Sequence, residues 1–291
     1  MAIKDLRGIK FLVTGAASGI GRALALAAAG EGAELILTDL SAGGLDDVAR
    51  TVRERGGVVL HTAAFDISDY DAVTAFANDV HERCGSLDIV ANVAGVSVWG
   101  TVDRLEHRHW KLMVDVNLMG PIHVIENFVP PMIEAGRGGH LVNVSSAAGL
   151  LALPWHSAYS AGKFGLRGVS EVLRFDLKRE RIGVSLVVPG AVRTPLVDTV
   201  EIVGVDRNSP EVRKLTERFV KHAASPEKVA QAILTGIKKN RFMVYTSFDT
   251  RFGFWWARKF APPYNVVMQA GNDYFRRVLR SSATKKERRA Q

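Results

Sequence analysis

Tyr159 and Lys163 stand four residues apart, a spacing that sets both side chains on one face of a helix. A phenol by itself is a poor base, with an ordinary pKa of about 10. An ammonium beside it favours phenolate, so the pair can exchange a proton near neutral pH. An amphipathic surface pair would show the same spacing. Ser145 and Ser146 close the segment Val142-Asn143-Val144-Ser145-Ser146. Either hydroxyl could hydrogen-bond a substrate oxygen or cap a turn. Asn117, within Asp115-Val116-Asn117, offers an amide to a helix-bend carbonyl, an ordered water or the core.

These groups need a scaffold, and the N-terminal segment indicates which. The apolar run Ile9–Val13 leads straight into Thr14-Gly15-Ala16-Ala17-Ser18-Gly19-Ile20-Gly21. A strand entering a glycine turn that opens a helix lets the backbone approach a pyrophosphate. The unpaired N–H groups of that helix end then face the phosphates. Asp39 ends the next strand, eighteen residues beyond Gly21. An acid there can accept from an adenosine ribose and repels a 2′-phosphate, which favours NAD over NADP. It can also cap the turn that follows.

Apolar runs alternate with helical ones along the chain. Strands are predicted at Ile9–Val13, Glu34–Thr38, Val58–Ala63, Asp88–Asn92, His140–Ser145, Gly183–Val188 and Arg241–Thr246. Helices are predicted at 20–30, Asp46–Arg55, Asp69–Cys84, His107–Ala135 with a bend at Gly120-Pro121, Ser157–Glu180, and from Pro226 to near Asn240. Gly162, Gly165 and Gly168 recur within the helix of Tyr159, where small residues permit close approach of a neighbour. This rhythm predicts an α/β, doubly wound Rossmann fold, with a seven-stranded parallel sheet flanked by helices on both faces. The strands are apolar throughout, as burial on both faces requires. Residues 1–250 read as one catalytic domain with a small substrate lobe near 191–225, and 251–291 as an aromatic and basic C-terminal extension.

Composition narrows the classes. The 291 residues are 47% hydrophobic, enough for one large core. A single cysteine, Cys84, excludes an intrachain disulfide and argues against a cysteine-ligated metal, so no metal is expected. The start lacks a signal-peptide pattern and no apolar run is long enough to span a bilayer, so a cytoplasmic protein is expected. The net charge is +8, but seven Lys/Arg against Glu287 lie within 276–291, leaving the body nearly balanced. No nucleic-acid partner is expected from that distribution. The basic tail is read as a solvated terminus.

Taken together, the ordered motifs resemble the short-chain dehydrogenase/reductase family over roughly residues 8–247. The Thr-Gly-x-x-x-Gly-Ile-Gly pattern is met by Thr14 to Gly21. The family's Asn-Asn-Ala-Gly appears as Asn92-Val93-Ala94-Gly95, with Val93 in place of the second asparagine. The Asn, Ser and Tyr-x-x-x-Lys positions fall on Asn117, Ser146, Tyr159 and Lys163; the interval to Tyr159 selects Ser146 over Ser145. Pro189, Gly190, Val192 and Thr194 match the nicotinamide-side loop, with Ala191 in place of a frequent bulkier residue. Asp66 and Ile67 fall where adenine is usually contacted.

The resemblance implies hydride transfer between NAD and a carbonyl or carbinol carbon. Tyr159 would be the acid/base, Lys163 the ribose ligand that holds the phenol's pKa down, Ser146 the anchor of the substrate oxygen, and Asn117 the anchor of a water. It places Gly15, Ser18, Gly19, Ile20, Gly21, Asp39, Asn92, Ala94 and Gly95 around the cofactor, and implies a homodimer or homotetramer. Val96, Val98, Trp99, Leu153, Trp155 and Leu196 are expected to line an apolar substrate pocket, which suits a hydrophobic secondary alcohol or ketone. Phe252, Phe254, Trp255, Trp256, Phe260 and Tyr264, interspersed with cations, could cover that pocket, pack across subunits or touch a membrane peripherally. An NAD-dependent epimerase or dehydratase, or a nonenzymatic NAD-binding scaffold, is the alternative reading.

Overall fold

The computed structural model describes residues 3–260 apart from 207–208, 211, 215–216 and 218–222, and also residues 262–274 and 277. Its seven-stranded sheet contains β1 (Lys10–Thr14), β2 (Glu34–Asp39), β3 (Val58–Ala64), β4 (Ile89–Asn92), β6 (Gly139–Val144), β7 (Ile182–Val188) and β9 (Met243–Tyr245). The order is β3-β2-β1-β4-β6-β7-β9, and every pairing is parallel. Successive residues of a strand feed opposite layers. Phe11 and Val13 enter one core and Leu12 the other; Leu35 and Leu37 oppose Ile36 in the same way.

The first core is closed by α1 (Gly19–Gly30), α2 (Ala42–Glu54) and α8 (Pro226–Lys238), through Leu24, Leu45, Val48, Ile233 and Ile237. The second is closed by α3 (Tyr70–Cys84) and α5 (Gly120–Ala135), through Val73, Phe76, Val124, Phe128 and Met132. Fully burying such a side chain stabilises by about 1.5–3 kcal/mol, so neither face of the sheet can be left bare. Side-chain caps fix where helices begin: Ser41 accepts from Gly44 N–H, Asp69 from Ala72 N–H and Ser225 from Lys228 N–H.

Three local features depart from the sequence reading. At Gly120-Pro121, where a bend is expected, the helical region is interrupted by a π-helical turn over Asp115–Met119, between α4 (His107–Val114) and α5. Pro121 has no N–H to give the carbonyl four residues back, and Gly120 N–H instead reaches Asp115. Helix α6 spans Ser157–Asp176 rather than running to Glu180. Leu177 is buried and Arg181 takes φ +58, so the chain reverses directly into β7. A two-stranded parallel ribbon was not foreseen: β5 (Val98–Trp99) pairs with β8 (Glu201–Ile202), just after α7 (Pro195–Thr199). The stretch predicted as an inserted lobe, 195–225, lies partly outside the described residues.

Strand order reverses between β1 and β4, since β2 and β3 lie on one side and β6 onward on the other. A crevice opens outside the carboxyl ends of strands at such a point. Thr14 pins it: its hydroxyl accepts from Val93 N–H at 3.0 Å and Ala94 N–H at 3.1 Å.

Candidate active site

Two cavities meet along that carboxyl edge. One, of about 320 Å³, is lined by Gly15, Ser18, Gly19, Ile20, Gly21, Asp39, Asp66, Ile67, Ala94, Gly95, Val96 and Thr194. The other, of about 480 Å³, is lined by Asn117, Ser146, Trp99, Leu153, Tyr159, Lys163, Pro189, Gly190, Val192, Thr194 and Leu196. Ile20, Val93, Gly95, Thr194 and Leu196 border both, so the two form one continuous groove.

The glycines make the smaller cavity possible. Gly15 takes φ +67, and a Cβ there would lie 2.7 Å from Ala94 Cα. A Cβ on Gly21 would lie 2.0 Å from the carbonyl oxygen of Gly15. No side chain fits at either position, and the turn closes tightly beneath the N-terminus of α1. Asp39 Oδ2 accepts from Ala17 N–H and Oδ1 from Ser41 N–H, each at 3.0 Å. The carboxylate thus braces the glycine turn while lining the cavity. Asp66 Oδ1 holds Ser68 N–H and its hydroxyl, each at 2.8 Å, and His123 Nδ1 lies 3.0 Å from the Ile67 carbonyl. These partners fix the rim opposite Asp39. A closed backbone cradle, a helix N-terminus and a carboxylate at the end of β2 are the features a dinucleotide requires, and the residues present fit one.

In the larger cavity, Tyr159 and Lys163 project from α6 and are buried. Lys163 Nζ lies 5.8 Å from the Tyr159 ring centroid and donates to the Val144 carbonyl at 3.1 Å. Burial lowers Lys163 to about 8. Burial also raises Tyr159, and the hydrogen bond with Ser146 opposes that rise. The expected downward push on the phenol therefore comes from Ser146 in this structure. Ser146 also accepts from Ala148 N–H at 3.1 Å. Ser145 points elsewhere, donating to the Lys163 carbonyl at 3.0 Å and tying β6 to α6.

Asn117 sits in the π turn and clamps one residue of the opposite loop. Its Oδ1 accepts from Val96 N–H at 3.1 Å, and its Nδ2 donates to the Val96 carbonyl at 2.9 Å. Gly162 lets this turn approach α6, because a Cβ there would lie 2.7 Å from the Met113 carbonyl oxygen. Gly165 does the same toward Leu118, whereas Gly168 faces open space.

Some predicted positions fall outside both cavities. Asn92 is buried and donates to Asn143 Oδ1 at 2.9 Å, within a core chain that continues through Ser170. Val98 packs in a satellite core with Met113. Trp155, at φ +67, lines neither cavity. Val96 lines the smaller one. Conversely, His156, Asp249 and Thr250 line the larger cavity, and Leu40 and Phe65 the smaller, none of them anticipated. His156 packs on Trp99 at a tilt of 36° with centroids 4.5 Å apart and faces Tyr159 edge-on at 6.2 Å. Its place three residues before Tyr159 was the available signal. Asp249 and Thr250 carried none, since about ninety residues separate them from Tyr159.

The extension divides its aromatic residues between two faces. On α9 (Phe248–Lys259), Phe254 packs against the buried cluster of Leu150, Leu186 and Val188, and Arg167 lies over its ring. Beyond it, the backbone N–H of Ala152 donates to Tyr264 Oη at 2.8 Å. Among the described residues no group of three or more metal-ligating side chains forms, and no helix is long and apolar enough to cross a membrane.

A family model described as short chain dehydrogenase matches residues 10–202. The chain is 32% identical to SadH of Mycobacterium tuberculosis over 271 residues, covering 92% of this chain and 97% of that one. It superposes with a TM-score of 0.81 on a short chain dehydrogenase/reductase from Burkholderia phymatum in complex with NAD, at 28% identity, covering 88% of this chain and 95% of the other. A metagenomic short-chain oxidoreductase in complex with NADP aligns at 31% identity with a TM-score of 0.66, covering 82% and 96%.

Proposed function

The chain belongs to the short-chain dehydrogenase family and is an oxidoreductase of that family, and from this we propose that it moves a hydride between NAD and an apolar secondary alcohol or ketone, with Tyr159 as the acid/base. The observation that carries the reading is the shared groove. The cradle of Gly15 to Gly21 opens directly into the cavity holding Tyr159, Lys163 and Ser146. The dinucleotide supplies the hydride acceptor or donor when bound. The residues supply alignment and the proton.

Gly15, Ser18, Gly19 and Gly21 receive the pyrophosphate beneath α1. Asp66 and Ile67 receive the adenine side, and Pro189, Gly190, Val192 and Thr194 the nicotinamide side. Asp39 supports NAD over NADP, because a 2′-phosphate would meet its carboxylate; a relative bound to NADP keeps the question one for measurement. Tyr159 takes the alcohol proton in oxidation and returns it in reduction. Ser146 holds both the phenol and the reacting oxygen, and so stabilises charge developing there. Lys163 offers its ammonium to the ribose and Asn117 fixes the loop at Val96. Trp99, Leu151, Leu153, Leu196 and Val197 give an apolar wall suited to a hydrophobic substrate.

The reading extends to a homodimer or homotetramer. It is tested by incubating the purified protein with NAD⁺ and a panel of secondary alcohols while following NADH absorbance. Turnover of apolar alcohols is expected; activity confined to small charged hydroxy acids, or none with any alcohol or ketone, overturns it.

A further inference from the structure

We propose that the exposed aromatic face of α9 seats the protein on an anionic lipid surface. Phe248, Phe252 and Trp255 are 79%, 50% and 51% exposed. They form a continuous ladder, with Phe248 and Phe252 ring centroids 5.9 Å apart and Phe252 and Trp255 5.8 Å apart; Phe260 extends it at 5.9 Å from Trp255. Their spacing of four and then three residues puts them on one side of the helix. Arg251, Arg258 and Lys259 are exposed on the same helix, with Lys259 four residues after Trp255 and the Arg258 guanidinium 5.5 Å from the ring centroid of Phe254 at the edge of this face. Aromatic rings at the centre of a helix face, with cations around them, match the boundary between acyl chains and anionic headgroups. Val266 and Val267, 69% and 50% exposed, add apolar surface on the helical stretch 262–274 that follows. The seven Lys/Arg of residues 276–291 follow in sequence and supply further attraction.

Charge selects this occupant over a second copy of the chain. A two-fold contact through this face would bring the cations of one α9 up to those of the other, with no acidic partner among the residues of the aromatic ladder. The opposite side of α9 is committed inward: Thr250 is buried and, with Asp249, lines the larger cavity. A helix resting on lipid would therefore hold the cavity rim beside the lipid phase. That consequence rests on the proposed apolar substrate; the docking does not.

Sedimentation of the full chain with vesicles tests it. Vesicles of phosphatidylcholine alone and with phosphatidylglycerol are compared for the natural sequence and the Phe252→Ser/Trp255→Ser double variant, with thermal melts as folding control. The expected result is binding to the anionic vesicles that falls at least about tenfold in the double variant. Absence of vesicle binding, or equal binding by the double variant, overturns the proposal. So does a drop in solution mass on substitution, which assigns the face to a subunit contact, or retention of single-stranded RNA in place of vesicles. If the aromatic variant fails to melt cooperatively, Arg251→Gln/Lys259→Gln reads the same face through its charge. No turnover is needed, so failure of the redox reading leaves this result distinct.

Discussion

At the scale of single residues, the proposed chemistry rests on a buried phenol and a buried amine whose proton affinities move in opposite directions. Burial raises Tyr159 and lowers Lys163 to about 8. The pair loses its protons in steps that belong to both groups. The first step lies near 8, and phenolate beside ammonium is a fixed fraction of the singly deprotonated pair. Oxidation needs that form, so kcat/KM for an alcohol should climb about tenfold per pH unit and level off above about pH 8. Reduction returns to that form from the fully protonated pair, so it should be flat below that pH and fall above it. A pH profile in both directions checks this; an oxidation limb flat from pH 6 to 9 contradicts it. Asp39 gives a second prediction. An asparagine keeps an acceptor for one of the two N–H groups, that of Ala17 at the glycine turn, and carries no charge. Asp39→Asn should raise the ratio of kcat/KM for NADP over NAD by about tenfold or more, since removing even about 1.4 kcal/mol of repulsion gives that factor. An unchanged ratio would detach Asp39 from cofactor choice.

At the scale of elements, the site depends on segments held together across the fold. The π turn delivers Asn117, Gly162 lets α6 approach it, and Ser145 ties α6 to β6. The loop after β6 is held from above, where Ala152 N–H donates to Tyr264 Oη. Tyr264→Phe removes that bond, worth about 1 kcal/mol. The KM for an apolar alcohol should rise severalfold, with dinucleotide affinity and kcat little changed; equal loss in all three, read from steady-state kinetics, would point to general unfolding. The sequence made the strands legible because two-sided burial writes uninterrupted apolar runs, as in Phe11 to Val13. It made the helix starts at Asp69 and Ser225 legible because caps are local. The β5–β8 ribbon was not legible, since two-residue strands about a hundred positions apart leave no periodic trace. The inward turn of Asn92 was hidden for a related reason: its partner, Asn143, lies on another strand. His156, Asp249 and Thr250 join the site only through packing.

At the scale of the whole molecule, the fold separates two tasks. The β1–β4 crevice and the start of α1 form the smaller cavity, while α6 and the loop after β6 carry the groups proposed to transfer the proton. The proposed reaction needs both; dinucleotide binding alone needs chiefly the first. A change confined to the phenolic oxygen should therefore disconnect them. Two-state linkage gives the binding readout, since NAD at a hundred times its Kd adds about 2.7 kcal/mol to stability and raises Tm accordingly. The most direct measurement is Tyr159→Phe, assayed for NAD-induced Tm rise and for NADH formation from an apolar secondary alcohol. The account predicts an unchanged Tm rise with kcat reduced about a thousandfold or more. Turnover within tenfold of the natural protein would contradict it.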